Sequence, residues 1–317
     1  MEKTIVFALS SSKDLAKQIC DELGLKLGKC TVNHFADGEV LVELGESVRG
    51  KDVYFVQSTN KPVNDNIMEL LIGIDACKRA SARTINCIIP YYGYARQDRK
   101  AKPRQPISSK LVASLIERAG ADRVITMDLH ATQIQGFFDI PADDITTLPL
   151  IGNYIAEIEN PADVVVVSPD HGGAVRARRL AEQLDAPIAI IDKRRPKPNV
   201  AEAMNIIGDV NGKVAVIIDD MVDTAGTLVA GIDMLRKHGA TKVYACCSHG
   251  VLSGPAIERL KGANLAEFIC TNTIEQLETL EKFPEMKVIS VAPLLAATIQ
   301  AVEHDTPLSD ALKDAVK

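Results

Sequence analysis

Residues 213–240 read KVAVIIDDMVDTAGTLVAGIDMLRKHGA. Val214–Ile218 is a short, unbroken run of mostly β-branched apolar residues, the length of a strand rather than a helix. Because it is apolar without alternation, it predicts a strand buried on both faces, as in a parallel sheet covered by helices on each side. Two acids, Asp219 and Asp220, end the run. A loop of small and hydroxyl residues follows, Asp223-Thr224-Ala225-Gly226-Thr227, and then an amphipathic helix to about Lys237.

The same alternation extends outward through the chain. Thr4–Ala8 reads as a strand; Leu15, Ala16, Ile19 and Leu23 repeat at helical spacing, with Gly24 as a stop. Strands are predicted at Val53–Gln57, Thr84–Pro90 and Arg123–Met127. After residue 150 the pattern restarts with Val164–Val167, a helix over Ala174–Leu184, then Ile188–Ile191 and Lys242–Cys246. The fold class is therefore α/β, with two doubly wound, mostly parallel-sheet domains. Spacing places them at 1–148 and 149–317, which suits a chain of 317 residues. A last helix, Pro293–Val302, is a candidate to pack back on the first domain.

Composition narrows the setting. Hydrophobic residues make up 46% of the chain and charged ones 25%, ordinary for a protein with a real core. No apolar run approaches a membrane span, and MEKTIVFALSSSKD has no signal-peptide pattern, so a cytoplasmic protein is expected. Seven cysteines, an odd count without C-x-x-C spacing, suit a reducing compartment. The net charge of −6 argues against nucleic acid as a partner.

The loop at Asp223–Thr227 defines the ligand class. Free backbone N–H groups and the dipole at a helix start make a phosphate site. Gly226 allows close approach, and Thr224 and Thr227 add hydroxyl donors. Asp219 and Asp220 can accept hydrogen bonds from vicinal hydroxyls, so loop and acid pair together suit a sugar phosphate. The plainer reading, a capping Asp or Thr at an ordinary turn, leaves both acids unexplained. Neither a P-loop nor a G-x-G-x-x-G fingerprint occurs.

Three more segments lie after predicted strands. Phe35-Ala36-Asp37-Gly38-Glu39-Val40 sets two carboxylates around a glycine beside an aromatic. Tyr91-Tyr92-Gly93-Tyr94-Ala95-Arg96-Gln97-Asp98-Arg99-Lys100 interleaves aromatics and cations that could stack on a base and hold a polyphosphate. Asp192-Lys193-Arg194-Arg195-Pro196 opens a polar stretch with the character of a solvated lid.

In order, FADGEV, YYGYARQDRK, MDLH, GFFDIP, SPDHGG, DKRRPKPN and DDMVDTAGT resemble the class I ribose-phosphate pyrophosphokinases over nearly the whole chain. The resemblance implies phosphoribosyltransferase-like domains and transfer of pyrophosphate from ATP to ribose 5-phosphate. The product, 5-phosphoribosyl 1-pyrophosphate, would serve nucleotide, His and Trp biosynthesis. Phe35, Asp37 and Glu39 would contact ATP from a neighbouring subunit of a homohexamer, and Arg96, Gln97 and His130 would also hold ATP. Lys193 and Arg195 would be the catalytic cations. Asp219, Asp220, Asp223, Thr224, Ala225, Gly226 and Thr227 would hold ribose 5-phosphate. His130 and Asp170 would contact Mg²⁺, with Asp128 a weaker candidate, and phosphate and ADP would be effectors. His34, His238 and His304 read as structural, and His171 has no assigned role. Asp144 stands where many relatives carry histidine, and Thr306-Pro307-Leu308-Ser309 departs from their Ser-rich ending. A phosphoribosyltransferase would need only the loop, and a non-catalytic regulatory homologue would have no use for Lys193 and Arg195.

Overall fold

The computed structural model describes residues 1, 3–194 and 203–316. Cα packing divides the chain into two units. The first comprises residues 1–146, 273–275 and 290–317, and the second 147–272 and 276–289. The break falls at Thr147, and the C-terminal segment, with the helix that the sequence makes a candidate to pack back on the first domain, groups with the first unit.

The first unit holds β1 (Thr4–Ala8), a hairpin of β2 (Cys30–His34) and β3 (Val40–Leu44), and β4 (Asp52–Val56), β5 (Thr84–Ile89), β6 (Arg123–Met127) and β7 (Ala142–Ile145). Strands β1-β4-β5-β6-β7 form one parallel sheet. Its helices are α1 (Lys13–Leu23), α2 (Val63–Arg79) and α3 (Ser108–Ala119). Successive strand residues point to opposite faces. Phe55 of β4 faces the α2 backbone, its ring 3.1 Å from where a Cβ on Gly73 would lie. Tyr54 faces the other way, its hydroxyl donating to Glu303 at 2.8 Å. Thr4 donates to the same carboxylate at 2.6 Å. Helix α1 ends as its sequence predicts, at Gly24 with φ +64°, whose N–H returns to the carbonyls of Asp21 and Cys20.

The second unit carries α4 (Leu148–Ile158), β8 (Val164–Ser168), α5 (Ala174–Leu184), β9 (Ile188–Arg194), β10 (Ala203–Ile207), β11 (Val214–Val222), α6 (Gly226–Lys237), β12 (Lys242–Gly250), α7 (Ala256–Gly262), β13 (Glu267–Thr271), α8 (Leu277–Lys282) and β14 (Lys287–Ile289). The sheet order is β10-β9-β8-β11-β12-β13-β14, parallel except for the β9–β10 edge pair. Val164, Val166, Val214, Val216 and Ile218 bury one face against α4 and α5. Val165, Val167, Ala215 and Ile217 bury the other against Ile232 and Leu235 of α6. Each buried valine or isoleucine contributes about 1.5–3 kcal/mol, and an unpaired acid in place of the fully buried Val166 would both lose this and bury a charge. Helices cover both faces, as the unbroken apolar strands predict.

Back in the first unit, α9 (Ala292–Glu303), followed by α10 (Leu308–Ala315), packs on α1. The seven cysteines are free thiols, and all but Cys30 are buried. Among the described residues, no helix is long and apolar enough to cross a membrane.

Candidate functional site

In the second unit the chain leaves β8 for β9 on one side and returns as β11 on the other. Such a reversal opens a crevice at the carboxyl ends of the strands, where ligands bind in open α/β sheets. The loop after β8, the end of β9 and the loop after β11 all meet that edge.

Strand β11 runs further than the apolar run predicts. Pairing with β12 continues through Met221–His249 and Val222–Gly250, so Asp219 and Asp220 lie within the strand. The loop is therefore reduced to Asp223–Ala225. Asp220 is 6% exposed. Its backbone N–H donates to Asp219 Oδ1 at 2.8 Å. Burial first, then the hydrogen bond and charge of Asp220, raise the Asp219 pKa well above the carboxylate range; Arg176 opposes this. The Arg176 guanidinium, on α5, lies 3.7 Å from Oδ1 of each acid.

The loop is held from outside. Arg259 Nη1 donates to the Thr224 carbonyl at 2.8 Å, and Ser253 N–H to the Asp223 carbonyl at 2.9 Å. Ala225 caps α6 with φ +59°, a left-handed conformation that a non-glycine residue adopts only when its surroundings impose it. Thr224, Gly226 and Thr227 remain exposed at the start of a twelve-residue helix. The first amides of that helix have no intrahelical acceptor, so an anion there meets both donors and dipole.

After β8, Ser168 Oγ donates to the Asp170 carbonyl at 2.6 Å. The Gly173 N–H donates to Asp170 Oδ1 at 2.9 Å, shaping the turn. The Asp170 side is exposed. His171 Nε2 lies 3.0 Å from Oδ1 of Asp192, which is 6% exposed near the end of β9. The strand expected to end at Ile191 runs on to Arg194, because β10 keeps pairing, with Asn205 opposite Asp192 and Met204 opposite Lys193. Lys193 thus stands in a strand, and Arg195 lies outside the described residues.

In the first unit the predicted ATP residues sit on exposed ground. Phe35, Asp37 and Glu39 form the β2–β3 turn, closed by Phe35 N–H to the Glu39 carbonyl at 2.8 Å. Phe35 is 54% exposed. Gly38 has φ +94°, which the turn requires of it. Arg96, Gln97 and His130 are exposed after β5 and β6. Gln97 Oε1 accepts from Ser108 Oγ at 2.6 Å. The stacking role predicted for the tyrosines is not met by two of them. Tyr91 and Tyr92 are buried, and Tyr92 gives its hydroxyl to the Ser109 carbonyl at 2.8 Å and its ring to Phe138. Among the three, Tyr94 retains partial exposure, with its hydroxyl on Asn64 at 2.7 Å.

The sequence reading missed Arg176, Arg259 and the partner of His171. Arg176 had a weak signal: it lies one position before Ala177, on the edge of the inward stripe Ala177, Leu180, Ala181 and Leu184 of α5. Arg259 and Asp192 had none, because their contacts join residues 35 and 21 positions apart.

Among the described residues, no cluster of three or more His, Cys, Asp or Glu could hold a metal by itself. His130 and Asp170 belong to different units. The exposed carboxylate of Asp170 offers oxygen donors, which suit a hard cation shared with a phosphate ligand rather than one caged by protein.

Comparisons with known proteins agree along the chain. Residues 4–120 match the N-terminal domain of ribose phosphate pyrophosphokinase. Residues 193–313 match the phosphoribosyl synthetase-associated domain. The ribose-phosphate pyrophosphokinase of Bacillus subtilis is 57% identical over 304 residues, 96% of this chain and 95% of that one. That of Halalkalibacterium halodurans is 58% identical over 304 residues, covering 96% of each. The crystal structure of phosphoribosylpyrophosphate synthetase from Mycobacterium smegmatis superposes with a TM-score of 0.90 at 44% identity, covering 96% of this chain and 99% of that one. The chain belongs to the ribose-phosphate pyrophosphokinase family.

Proposed function

We propose that the chain transfers the β,γ-pyrophosphoryl group of ATP to the 1-hydroxyl of ribose 5-phosphate, releasing AMP and 5-phosphoribosyl 1-pyrophosphate. The observation that carries this is the acid pair Asp219–Asp220 placed in β11 immediately before an anion-binding helix start, in a chain of this family. The amides and hydroxyls of Asp223–Thr227 hold the 5-phosphate, and the two carboxylates accept from the sugar's vicinal hydroxyls.

ATP is held by Arg96, Gln97 and His130, with Phe35, Asp37 and Glu39 reaching it from a neighbouring subunit of a homohexamer. The exposed aromatic at a hairpin tip supports that donation. Lys193 and Arg195 place positive charge on the transferred and leaving oxygens. Such transfer depends on in-line positioning and charge neutralisation more than on covalent help. His130 and Asp170 are the residues that would hold Mg²⁺, which would supply further charge neutralisation on the phosphates. Phosphate and ADP act as effectors, and the setting is the cytoplasm.

Attack at the β-phosphorus has a direct isotopic test. With ATP carrying ¹⁸O in the α–β bridge, the label leaves with AMP. Label in free inorganic pyrophosphate, formed together with an adenylylated sugar, would mean attack at the α-phosphorus and would overturn the proposal.

A further inference from the structure

We propose that Arg176 is a positioning residue of the ribose 5-phosphate site, its guanidinium gathering the carboxylates of Asp219 and Asp220 into one acceptor surface for the sugar's vicinal hydroxyls. The proposal rests on the sugar-binding reading of those two acids.

Adjacent strand residues ordinarily project to opposite faces of a sheet. Asp219 and Asp220 are adjacent in β11, yet Arg176 Nη1 lies 3.7 Å from Oδ1 of both. A single cation therefore reaches the two carboxylates together. The β11–β12 register pairs Asp219 with Cys247 and Met221 with His249.

Electrostatics explains why a cation is needed there. The Asp220 side chain is 8% exposed and that of Asp219 is 34% exposed. Two carboxylates in contact, partly withdrawn from water, disfavour each other's charge. The Arg176 side chain, itself 18% exposed, offsets that repulsion with a charge that does not titrate. At 3.7 Å the attraction is ionic and too long for a hydrogen bond, so it does not occupy a carboxylate lone pair as a donor would.

The position of Arg176 carries a second clue. It is the third residue of α5. Cations in a first helical turn oppose the helix dipole, so local helix energetics disfavour arginine there. The acid pair supplies the compensating interaction, which links the start of α5 to the middle of the site.

The experiment compares Arg176→Gln and Arg176→Lys with the parent chain, each checked by thermal melting. Arg176→Gln raises the KM for ribose 5-phosphate by about 10- to 100-fold, as expected when one partner of a partly desolvated ion pair is removed. The KM for ATP stays within about twofold, and Arg176→Lys recovers much of the loss. The acid limb of kcat/KM for ribose 5-phosphate also moves to higher pH. The charged or titratable groups facing Asp219 in that shift are Asp220 on its own strand, Arg176 on α5 and the buried Cys247 thiol on β12. An equal rise in both KM values with an unmoved limb would overturn the proposal, because a merely structural residue behaves that way.

Binding is read independently of turnover by the rise in Tm on adding ribose 5-phosphate. The proposal requires that rise in the parent and its loss in Arg176→Gln; equal rises in both would overturn it. No rise even in the parent would refute the sugar-binding reading itself, and the proposal with it.

Discussion

The carboxylate of Asp144 accepts the backbone N–H of Leu129 at 3.1 Å, one residue before His130. The same oxygen accepts from Thr126 Oγ1 at 3.2 Å. Asp128, between those donors, has φ +39° and takes a hydrogen bond from Thr146 at 2.9 Å. Strand β7 and the residue after it therefore hold the Asp128–His130 turn in a conformation that costs energy in isolation. Removing the acceptor in Asp144→Ala should raise the KM for ATP several-fold and leave that for ribose 5-phosphate unchanged. Asp144→Asn, which keeps the oxygen, should be mild. Steady-state kinetics with each substrate varied checks both.

A second prediction concerns stability alone. Asp52, 2% exposed in β4, accepts from Arg83 Nε at 2.6 Å and from Thr84 at 2.8 Å. Its pKa is lowered: burial raises it, but the Arg83 and Thr84 hydrogen bonds and the Arg83 charge outweigh that. A depressed carboxylate stabilises the fold above its unfolded pKa, and the benefit is lost as pH falls through the folded value. Asp52→Asn should cost about 1–3 kcal/mol near neutral pH. The gap between variant and parent should close below about pH 4, as urea unfolding across pH would measure.

The strands of β11 and its neighbours were legible because burial on both faces leaves an unbroken apolar run. The hairpin β2–β3 was not, since CTVNH carries polar residues on its exposed side and forms one half of an isolated two-stranded pair. Of the candidate site, the loop at Asp223–Thr227 was visible through local chemistry. Arg259, which fixes it, was not, because a side chain 35 residues away leaves no local trace. The tyrosines show the opposite error: Tyr91 and Tyr92 look like a ligand platform beside the cations, but the core claims them. Asp144 looked like a change of charge outside the motifs, yet its hydrogen bonds end on one of them.

Asp219 gives a pH prediction of opposite sign to Asp52. Its raised pKa means the folded chain retains a proton that the unfolded chain releases. Stability is therefore lost as pH rises from the ordinary carboxylate range towards the raised value. Asp219→Asn should remove that slope, becoming relatively more stable between about pH 5 and 8 while binding ribose 5-phosphate more weakly. Denaturant unfolding over that range and the KM for the sugar test the two halves.

Lys193 is expected to act in the transition state rather than in binding. Lys193→Ala should lower kcat by about 10²–10³-fold, typical for loss of one electrostatic donor. Ribose 5-phosphate should still raise the Tm. A variant with near-normal turnover would remove Lys193 from the mechanism.

The most direct test of the central claim is nucleotide product analysis of the purified chain with ATP, Mg²⁺ and ribose 5-phosphate. The account predicts AMP, formed only when the sugar is present. ADP as the product, or no turnover with or without inorganic phosphate, would contradict it.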